Sequence, residues 1–436
     1  MNEESSTIAA IATAPGKAGV AAIRVSGPFA WDVAEALTGK KIERAEAPKV
    51  VYSTLRHPHG ERPFLDDALV LYFRGPRSYT GEDVVEFHCH GGSVTPRRVL
   101  EACFAAGSRL AGRGEFTRRA FLNGKIGYEE AESVIDLIDA KTDRAADAAL
   151  AGLTGEKASE LKALYQKVLA LSSRLEYSLD VDESDFTGDF PLSVQGEAAA
   201  LVREAKGALR RARESRILRR GPLVVLAGEP NVGKSSLMNA LLGENRAIVS
   251  DVAGTTRDSI EEWLDIEGWP VRLVDTAGLR DTPDVIEAQG VERSRRLMNQ
   301  ADIILQLAES PVPPLSEKSI VVVTKCDLSE TRESGVVYTS AKTGEGLEDL
   351  KAAVARMLEA GAEALACDAD SSGAREDALF AAISALSDES FSAESFDPVL
   401  AANCARSAAQ RLGAAIGAEY SSDLIDNLFS RFCIGK

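Results

Sequence analysis

The chain has 436 residues, of which 45% are hydrophobic and 27% are charged, as expected for a globular protein of about two to four domains. No apolar run approaches the ~18 residues that a membrane-spanning helix needs. The formal net charge of −17 argues against a non-specific nucleic-acid binder, so any RNA contact would need a local basic patch or a partner.

Two further features bear on the compartment. The first residues, Met1–Ser5, lack the basic region of a signal peptide, so we expect none. The six cysteines, at positions 89, 103, 326, 367, 404 and 433, include no C-x-x-C pair. This pattern predicts reduced thiols in a cytoplasmic protein and argues against a zinc site or a disulfide framework.

Residues 1–120 contain short apolar runs separated by turn-forming residues, which predicts a mixed α+β domain. The predicted strands are Ile8–Thr13, Ala21–Val25, Ala68–Phe73 and Val84–His88, and the predicted helix is Pro96–Ala106.

Residues 121–218 are predicted to be mostly helical, because apolar residues recur at helical spacing. These are Ala131, Val134, Ile135, Leu137 and Ile138, and then Leu161, Leu164, Val168, Leu171 and Leu175. An acidic stretch at 180–186 separates two long helices. The second helix carries Arg203, Lys206, Arg210, Arg211, Arg213, Arg216, Arg219 and Arg220. This basic face is either solvated or a phosphate-contacting patch.

Residues 219–360 alternate apolar runs with helical patterns, which predicts a doubly wound, Ras-like α/β domain with a mainly parallel sheet. The runs are Leu223–Ala227, Val271–Val274, Ile303–Leu307, Ile320–Thr324 and Val336–Tyr338. After Ala360 comes a polar, alanine-rich link, and residues from about 374 to 432 are predicted to be helical again, so that 361–436 forms the second part of a helical domain. We therefore predict one helical domain that is interrupted by an inserted α/β domain.

A phosphate-binding loop opens the inserted domain. Residues Gly228–Ser235 read G-x-x-x-x-G-K-S between a buried strand and a helix, which is the context that a P-loop requires. Its backbone N–H groups and the helix N-terminus would bind phosphate. Lys234 would reach the outer phosphates, and the Ser235 hydroxyl would bind Mg²⁺.

Four later stretches predict GTP as the nucleotide. They are Gly254–Asp258, Asp275–Gly278, Thr324–Asp327 and Ser340–Lys342. Thr256 would complete the Mg²⁺ coordination, and Asp275 would be the carboxylate that supports the Mg²⁺ ligands without binding the ion directly. The Asp327 carboxylate can accept two hydrogen bonds from guanine, which adenine cannot donate. Together these motifs resemble those of the translation-factor-like GTPases.

Two positions depart from the usual GTPase pattern. Thr324 replaces the usual Asn, so guanine specificity would rest on Asp327 while the affinity stays open. Leu279 occupies the position where Ras-like enzymes have the Gln that orients the attacking water. Hydrolysis is then either very slow or assisted by another group. The nearby candidates are Arg280, Asp281, Asp284, Glu287 and Glu292.

The whole chain resembles the MnmE (TrmE) family of bacterial tRNA-modification GTPases. The stretches that carry the resemblance outside the GTPase motifs are Thr7–Thr13, Ile23–Gly27, Ser78–Asp83, His90–Gly92, Gly114–Thr117, Ala120–Lys125 and the C-terminal Phe429–Lys436. The resemblance implies an N-terminal folate-binding and dimerisation domain, a helical domain and an inserted G domain. It also implies the FAD-dependent partner MnmG in a heterotetramer, which with this chain would install an aminomethyl or carboxymethylaminomethyl group at C5 of the wobble uridine in certain tRNAs.

The resemblance also assigns roles to residues. The folate residues, for a 5-formyl or methylene tetrahydrofolate, would be Arg24, Glu86, Lys125 and Lys436. The potassium ligands would be Asn231, Ser250, Val252 and Thr255, and Glu287 would orient the water. The implied catalytic residues are Glu287, Lys234 and Thr256. The implied nucleotide contacts are Asn231, Val232, Gly233, Lys234, Ser235, Ser236, Ser250, Thr255, Thr256, Asp275, Thr276, Ala277, Gly278, Thr324, Lys325, Asp327, Ser340, Ala341 and Lys342.

Several alternatives stay open. Cys433 is either a nucleophile near folate and tRNA or a small structural cysteine beside a binding site. His88 and His90 are interpreted as walls of a site and not as a metal pair. For the whole protein, the rival functions are a ribosome-assembly GTPase and a one-carbon transfer enzyme with a regulatory G domain.

Overall fold

The structure is a computed structural model. It describes residues 6–43, 47–60, 64–180, 189–244, 261–275, 295–328, 332–364, 374–416 and 428–435. The chain divides into two compact units, of which the first is Met1–Ile135 with Glu419–Lys436 and the second is Asp136–Ala418. The multidomain fold class predicted from the sequence is confirmed, whereas the predicted boundaries near 121, 219 and 361 stay predictions.

The first unit is built on a six-stranded sheet. Its strands are β1 (Ile8–Ile11), β2 (Val20–Ser26), β3 (Lys49–Leu55), β4 (Asp66–Phe73), β5 (Val84–His90) and β6 (Arg109–Leu110). Their order is β3-β4-β5-β2-β1-β6. All neighbours are antiparallel except β1 and β6, which are parallel.

Alternation along β5 gives the sheet one covered face and one open face. Val85, Phe87 and Cys89 are buried in a core with residues of two helices, α1 (Ala30–Thr38) and α2 (Thr95–Ala105). Glu86, His88 and His90 point to the opposite face and are less buried. Polar side chains that follow this alternation therefore collect on the open face. The unit also contains α3 (Glu115–Leu122) and the first two turns of α4 (Tyr128–Asp139), whose residues from Asp136 onward belong to the second unit.

The second unit combines helices with another six-stranded sheet. Its helices are α5 (Asp143–Leu153), α6 (Glu156–Leu179), α7 (Phe190–Arg220), α8 (Lys234–Glu244), α9 (Leu347–Ala364), α10 (Ala374–Leu386) and α11 (Pro398–Ile416). Its strands are β7 (Leu223–Gly228), β8 (Glu261–Ile266), β9 (Trp269–Asp275), β10 (Ile303–Ala308), β11 (Ser319–Val323) and β12 (Val337–Tyr338). Residues 295–300 are also helical.

The helical part is formed by two segments of chain. One precedes the strands of the sheet in sequence, and the other follows them. Helix α11 packs against α6, and α10 packs against α7 and α11. Their core joins leucines of α6, such as Leu164 and Leu171, with small residues of α11, such as Ala405 and Ala408. In the described part of the chain, no helix is long and apolar enough to cross a membrane.

The strands of the second sheet follow the order β12-β11-β10-β7-β9-β8. All pairs are parallel except β8 with β9, which form an antiparallel hairpin. Every strand predicted in this region is present, with ends that differ by at most two residues. Strand β8 was not predicted. Because the strands that carry the motifs are parallel, their carboxyl ends all meet at one end of the sheet.

Several basic residues of α7 form ion pairs within the unit. The pairs are Arg211 with Glu160, Arg216 with Glu376, Arg219 with Asp136 and Arg220 with Asp302. These contacts favour a solvated helix face that is tied to neighbouring elements. The alternative, a phosphate-contacting patch, stays a prediction.

Helix α7 leads directly into β7 through Gly221. This residue has φ 67°, and a Cβ there would lie 2.4 Å from the Trp263 ring and 2.9 Å from the carbonyl oxygen of Pro270. Both values are shorter than van der Waals contact, so only glycine fits at this junction.

We therefore expect Gly221→Ala to lower the free energy of unfolding by roughly 1–3 kcal/mol, because the methyl group has neither the backbone angle nor the space that it needs. Urea unfolding followed by circular dichroism measures the change. Gly196→Ala in the interior of α7 is the matched control, because a Cβ there meets nothing within 4 Å. We expect that control to stabilise the protein by roughly 0.5–1 kcal/mol. An unchanged midpoint for Gly221→Ala would contradict the close packing at the junction.

Candidate functional site

The P-loop lies between β7 and α8. Gly228 ends the strand with φ 154°, and a Cβ there would lie 2.5 Å from the carbonyl oxygen of Leu307. Asn231 and Gly233 also have positive φ values, of 64° and 103°. The loop therefore turns sharply against β10 and places its backbone at the end of the sheet, ahead of the N-terminus of α8.

Three polar side chains converge at this end of the sheet. The ammonium group of Lys234 donates hydrogen bonds to the carbonyl oxygens of Gly228 (2.9 Å) and Glu229 (2.7 Å). The Ser235 hydroxyl donates to Oδ2 of Asp275 over 2.8 Å. Asp275 is the last residue of β9 and is 3% exposed. A hydroxyl group backed by a carboxylate is the oxygen donor set that Mg²⁺ prefers, so these residues fit that ion.

The predicted base-recognition loop contacts the P-loop. The Thr324 hydroxyl donates to the carbonyl oxygen of Val232 over 2.7 Å. Thr324 therefore makes the bridge between the two loops, although it has fewer hydrogen-bonding groups than Asn. Lys325 has φ 56°, and its ammonium group pairs with Glu309.

Asp327 and Ser340 come together beside this bridge. A hydrogen bond from the Ser340 side chain holds the pKa of Asp327 below its ordinary value. The Asp327 side chain is solvent-exposed, while Ser340 is 1% exposed. The 324–327 loop and the 340–342 loop thus lie side by side, and the exposed Asp327 carboxylate is available as an acceptor of hydrogen bonds.

A second polar cluster lies on the open face of the first sheet. Arg24 on β2 is in register with Glu86 on β5, and its Nε donates to Glu86 Oε1 over 2.7 Å. His88 Nε2 lies 3.0 Å from the other carboxylate oxygen of Glu86. The Arg24 guanidinium lies over the rings of Tyr79 (5.2 Å) and Phe116 (5.6 Å). One planar cation, one carboxylate and two aromatic rings therefore share this face.

The loop that carries Tyr79 is held by a buried network. Arg119, only 6% exposed, donates to both carboxylate oxygens of Glu82 and to Glu115. The Ser26 hydroxyl donates to Glu82 over 2.6 Å, and the Tyr79 hydroxyl lies 2.8 Å from that of Thr117. The network fixes the loop against α3 and β2, so the Tyr79 ring stays beside Arg24.

Two further predicted residues lie at the margins of this cluster. The ammonium group of Lys125 is exposed and donates to the carbonyl oxygen of Pro76 over 3.0 Å. The exposed Cys433 lies in the C-terminal segment, where its carbonyl oxygen accepts a hydrogen bond of 3.3 Å from the N–H group of Gly114. Gly114 precedes α3, and Phe116 in its first turn flanks Arg24. The C-terminal segment is thereby held close to the elements that form the cluster.

Comparison with known proteins covers both sites. The chain matches the family models "GTP-binding protein TrmE N-terminus" over residues 7–125 and "MnmE helical domain" over residues 129–433. It is 41% identical to the tRNA modification GTPase MnmE of Symbiobacterium thermophilum, with 100% of each chain covered. It is 38% identical to the protein of the same name from Heliobacterium modesticaldum, with 99% of each chain covered.

The chain belongs to the MnmE family. A solved structure, the G domain of the T. maritima FeoB iron transporter, is 29% identical and covers 31% of this chain and 98% of its own. Its TM-score is 0.24.

Many of the residues that were predicted to be functional from MnmE-family motifs fall within the described part of the chain. The structure brings together Asn231–Ser236, Asp275 and Thr324 around the P-loop, and Arg24 with Glu86 on the sheet. Lys125 and Cys433 lie nearby in the same unit. The predicted residues Ser250, Val252, Thr255, Thr256, Thr276, Ala277, Gly278, Glu287 and Lys436, together with Leu279, lie outside the described residues. The roles of all these residues stay predictions.

The sequence interpretation missed the residues that hold the Tyr79 loop. Ser26, Glu82 and Arg119 were part of stretches that resemble the MnmE family, but no role followed from the sequence. They come from three separate elements, so no local spacing links them. A charged residue at position 119 among the apolar positions of α3 was the available signal, because a buried arginine needs partners.

The charge state of Glu86 follows from its surroundings. Burial raises the pKa of Glu86, but the charge of Arg24 and the hydrogen bonds from His88 and Arg24 outweigh burial and leave the pKa below its ordinary value. The carboxylate form therefore stabilises the fold. Since the folded-state pKa is the lower one, this stabilisation is complete above the unfolded-state pKa and is lost as the pH falls through the folded-state pKa.

We expect Glu86→Gln to flatten the acid limb of the stability curve below about pH 5, because the variant has no proton to take up at this position. Urea unfolding at several pH values measures the slope of the unfolding free energy against pH. Glu101→Gln is the control, since Glu101 forms an exposed pair with Arg97 on α2. A slope that is equal in wild type and Glu86→Gln would contradict the assignment.

Proposed function

We propose that this protein is a GTP hydrolase that acts in tRNA modification. The observation that carries this proposal is the match over the full length of relatives named tRNA modification GTPase. The P-loop geometry supports it independently, because Lys234, Ser235 and Asp275 meet where the phosphates of a nucleotide would lie. The finer proposal is that the modification is made at C5 of the wobble uridine, with a flavin-dependent partner of the MnmG type.

In the G domain, each side chain has a distinct task. Lys234 can exchange its two loop carbonyl partners for phosphate oxygens, which neutralises their charge. Asp275 orients the Ser235 hydroxyl, and a bound Mg²⁺ would supply charge neutralisation at the outer phosphates. Asp327 accepts hydrogen bonds from guanine, and Thr324 keeps that loop against the P-loop.

Water activation needs a group other than the Gln of Ras-like enzymes, because Leu279 cannot orient water. We assign this task to Glu287. A bound K⁺ would supply positive charge where other systems use an arginine finger, with the side-chain oxygen of Asn231 as one ligand. Asn231 is exposed at the tip of the P-loop, so its amide is accessible for this purpose. Pairing of two G domains would complete the site in each cycle of hydrolysis.

We expect GTP hydrolysis by the full chain to be at least about tenfold faster in KCl than in NaCl at equal ionic strength, because arginine-finger cations contribute ~10³–10⁵ in related enzymes. Glu287→Ala should lower the rate in KCl by a similar factor. Asp284→Ala, which removes a neighbouring carboxylate, is the matched control and should retain the rate. Equal rates in the two salts would overturn the potassium assignment.

On the sheet of the first unit, we propose a site for a tetrahydrofolate derivative. Glu86 is a carboxylate that could accept hydrogen bonds from the pterin amide groups, and the partly exposed Tyr79 ring is an aromatic surface beside Arg24. Arg24, Lys125 and Lys436 would pair with the glutamate tail. When bound, the folate would supply the one-carbon unit. Two first units are proposed to form the homodimer, and that dimer would join the flavin-dependent partner in a heterotetramer.

Nucleoside analysis of tRNA from a deletion strain tests the function. We expect the wobble-uridine modification to be lost in this strain and restored by the wild-type chain. Arg24→Gln should fail to restore it, whereas Arg97→Gln, an exposed substitution on α2, should succeed. A deletion strain with normal tRNA nucleosides and a ribosome-assembly defect would replace our proposal with the ribosome-assembly alternative.

A further inference from the structure

Helix α5 forms part of the hydrophobic core of the G domain, although two bundle helices, α6 and α7, separate it from that domain in sequence. Ala145 on α5 and Leu218 on α7 are buried in the same cluster as Leu264, Trp269 and Leu273 of the β8–β9 hairpin. The hairpin thus contributes to this core, although β8 is the edge strand of the sheet. It is packed on helices that continue into the helical bundle.

Arg144 is the centre of this contact. Its guanidinium carbon lies 4.1 Å from the centroid of the Trp269 ring, and its Nε donates to Glu214 on α7 over 3.0 Å. The stem of the side chain packs on the turn of the hairpin, where a Cβ on Gly268 would lie 3.2 Å from Arg144. A planar cation that is stacked on one side and ion-paired on the other is held in a single orientation.

Thr142 adds a second anchor to the same turn. Its hydroxyl donates to the carbonyl oxygen of Gly268 over 2.8 Å, and its oxygen accepts from the N–H group of Ala145 as the N-cap of α5. The start of α5 and the start of β9 are therefore fixed to each other by both polar and aromatic contacts.

The middle of β9 is hydrogen-bonded to the junction between α7 and β7. The backbone N–H group of Arg272 donates to the carbonyl oxygen of Pro222 over 2.9 Å, and Nε of the Arg272 side chain donates to the carbonyl oxygen of Gly221 over 2.9 Å. The last residue of the same strand is Asp275, which receives the Ser235 hydroxyl. One seven-residue strand thus connects the helical contacts with the P-loop serine.

We propose that Arg144 is a positioning residue for the GTPase centre. By holding Trp269 against α5 and α7, it fixes β9 along its length and so sets where the Asp275 carboxylate meets Ser235. Through the contacts of Arg144, the position of the helical bundle is coupled to the geometry of Ser235 and Asp275, the pair that would hold Mg²⁺. This coupling acts in both directions. The inference rests on the GTPase activity proposed above.

The test uses the full chain and a fluorescent GDP analogue. The measured quantity is the Mg²⁺ concentration that half-maximally slows release of the analogue. We expect Arg144→Gln to raise this concentration roughly three- to fivefold, because a partly buried cation–π contact of this kind is lost. Arg144→Lys, which keeps the charge, should raise this Mg²⁺ concentration less than Arg144→Gln does.

Arg174→Gln is the matched control. Arg174 also combines an ion pair, with Glu197 at 2.7 Å, and a ring contact, with Phe190 at 5.7 Å, but all three residues lie within the helical bundle. We expect this control to reduce the melting temperature about as much as Arg144→Gln does and to leave the Mg²⁺ dependence unchanged.

A double-mutant cycle separates positioning from general destabilisation. In an Asp275→Asn background, Arg144→Gln should cause no further change in the Mg²⁺ dependence, since the carboxylate through which it acts is gone. Equal Mg²⁺ dependence in wild type and Arg144→Gln, or additive effects in the cycle, would overturn the inference. Absence of GTP hydrolysis and nucleotide binding by the wild-type chain would instead refute the proposed function itself.

Discussion

The packing of α6 against α11 is the constraint on which the second unit depends. Leu164 and Leu171 on one helix meet Ala405 and Ala408 on the other, although more than two hundred residues of chain separate the two helices. The small side chains let the helices approach closely, which gives apolar contact along most of their length. The bundle core therefore joins helices that precede the inserted G domain in sequence with helices that follow it.

In each unit, an arginine with several partners holds elements near the candidate site in place. In the first unit, a buried arginine joins two carboxylates and thereby holds an aromatic loop beside Arg24. In the second unit, Arg144 is stacked on Trp269 and paired with Glu214. In both cases a guanidinium group connects elements that are distant in sequence, because its planar fork can satisfy several partners at once. Rigid neighbours thus hold the side chains of both candidate sites in place.

Patterns that repeat locally were predictable, and contacts between distant elements were not. The buried parallel strands β7, β10 and β11 are nearly continuous apolar runs, so their positions and the P-loop between β7 and α8 followed from the sequence. Strand β3 was missed because Val50 and Tyr52 are apolar yet exposed on the sheet edge, which blurs the alternation. Arg119 was missed as an organising residue because its partners come from other elements.

The sharing of α5 between bundle and G domain determines the order in which the cores can form during synthesis. The described residues that build the G-domain core run from Ala145 to Leu358, so this core is complete once α9 has left the ribosome. The bundle core also needs α10 and α11, which are made later. The inserted domain can therefore close around α5 and the end of α7 first, and it then presents α6 and α7 as a template on which the last two helices pack.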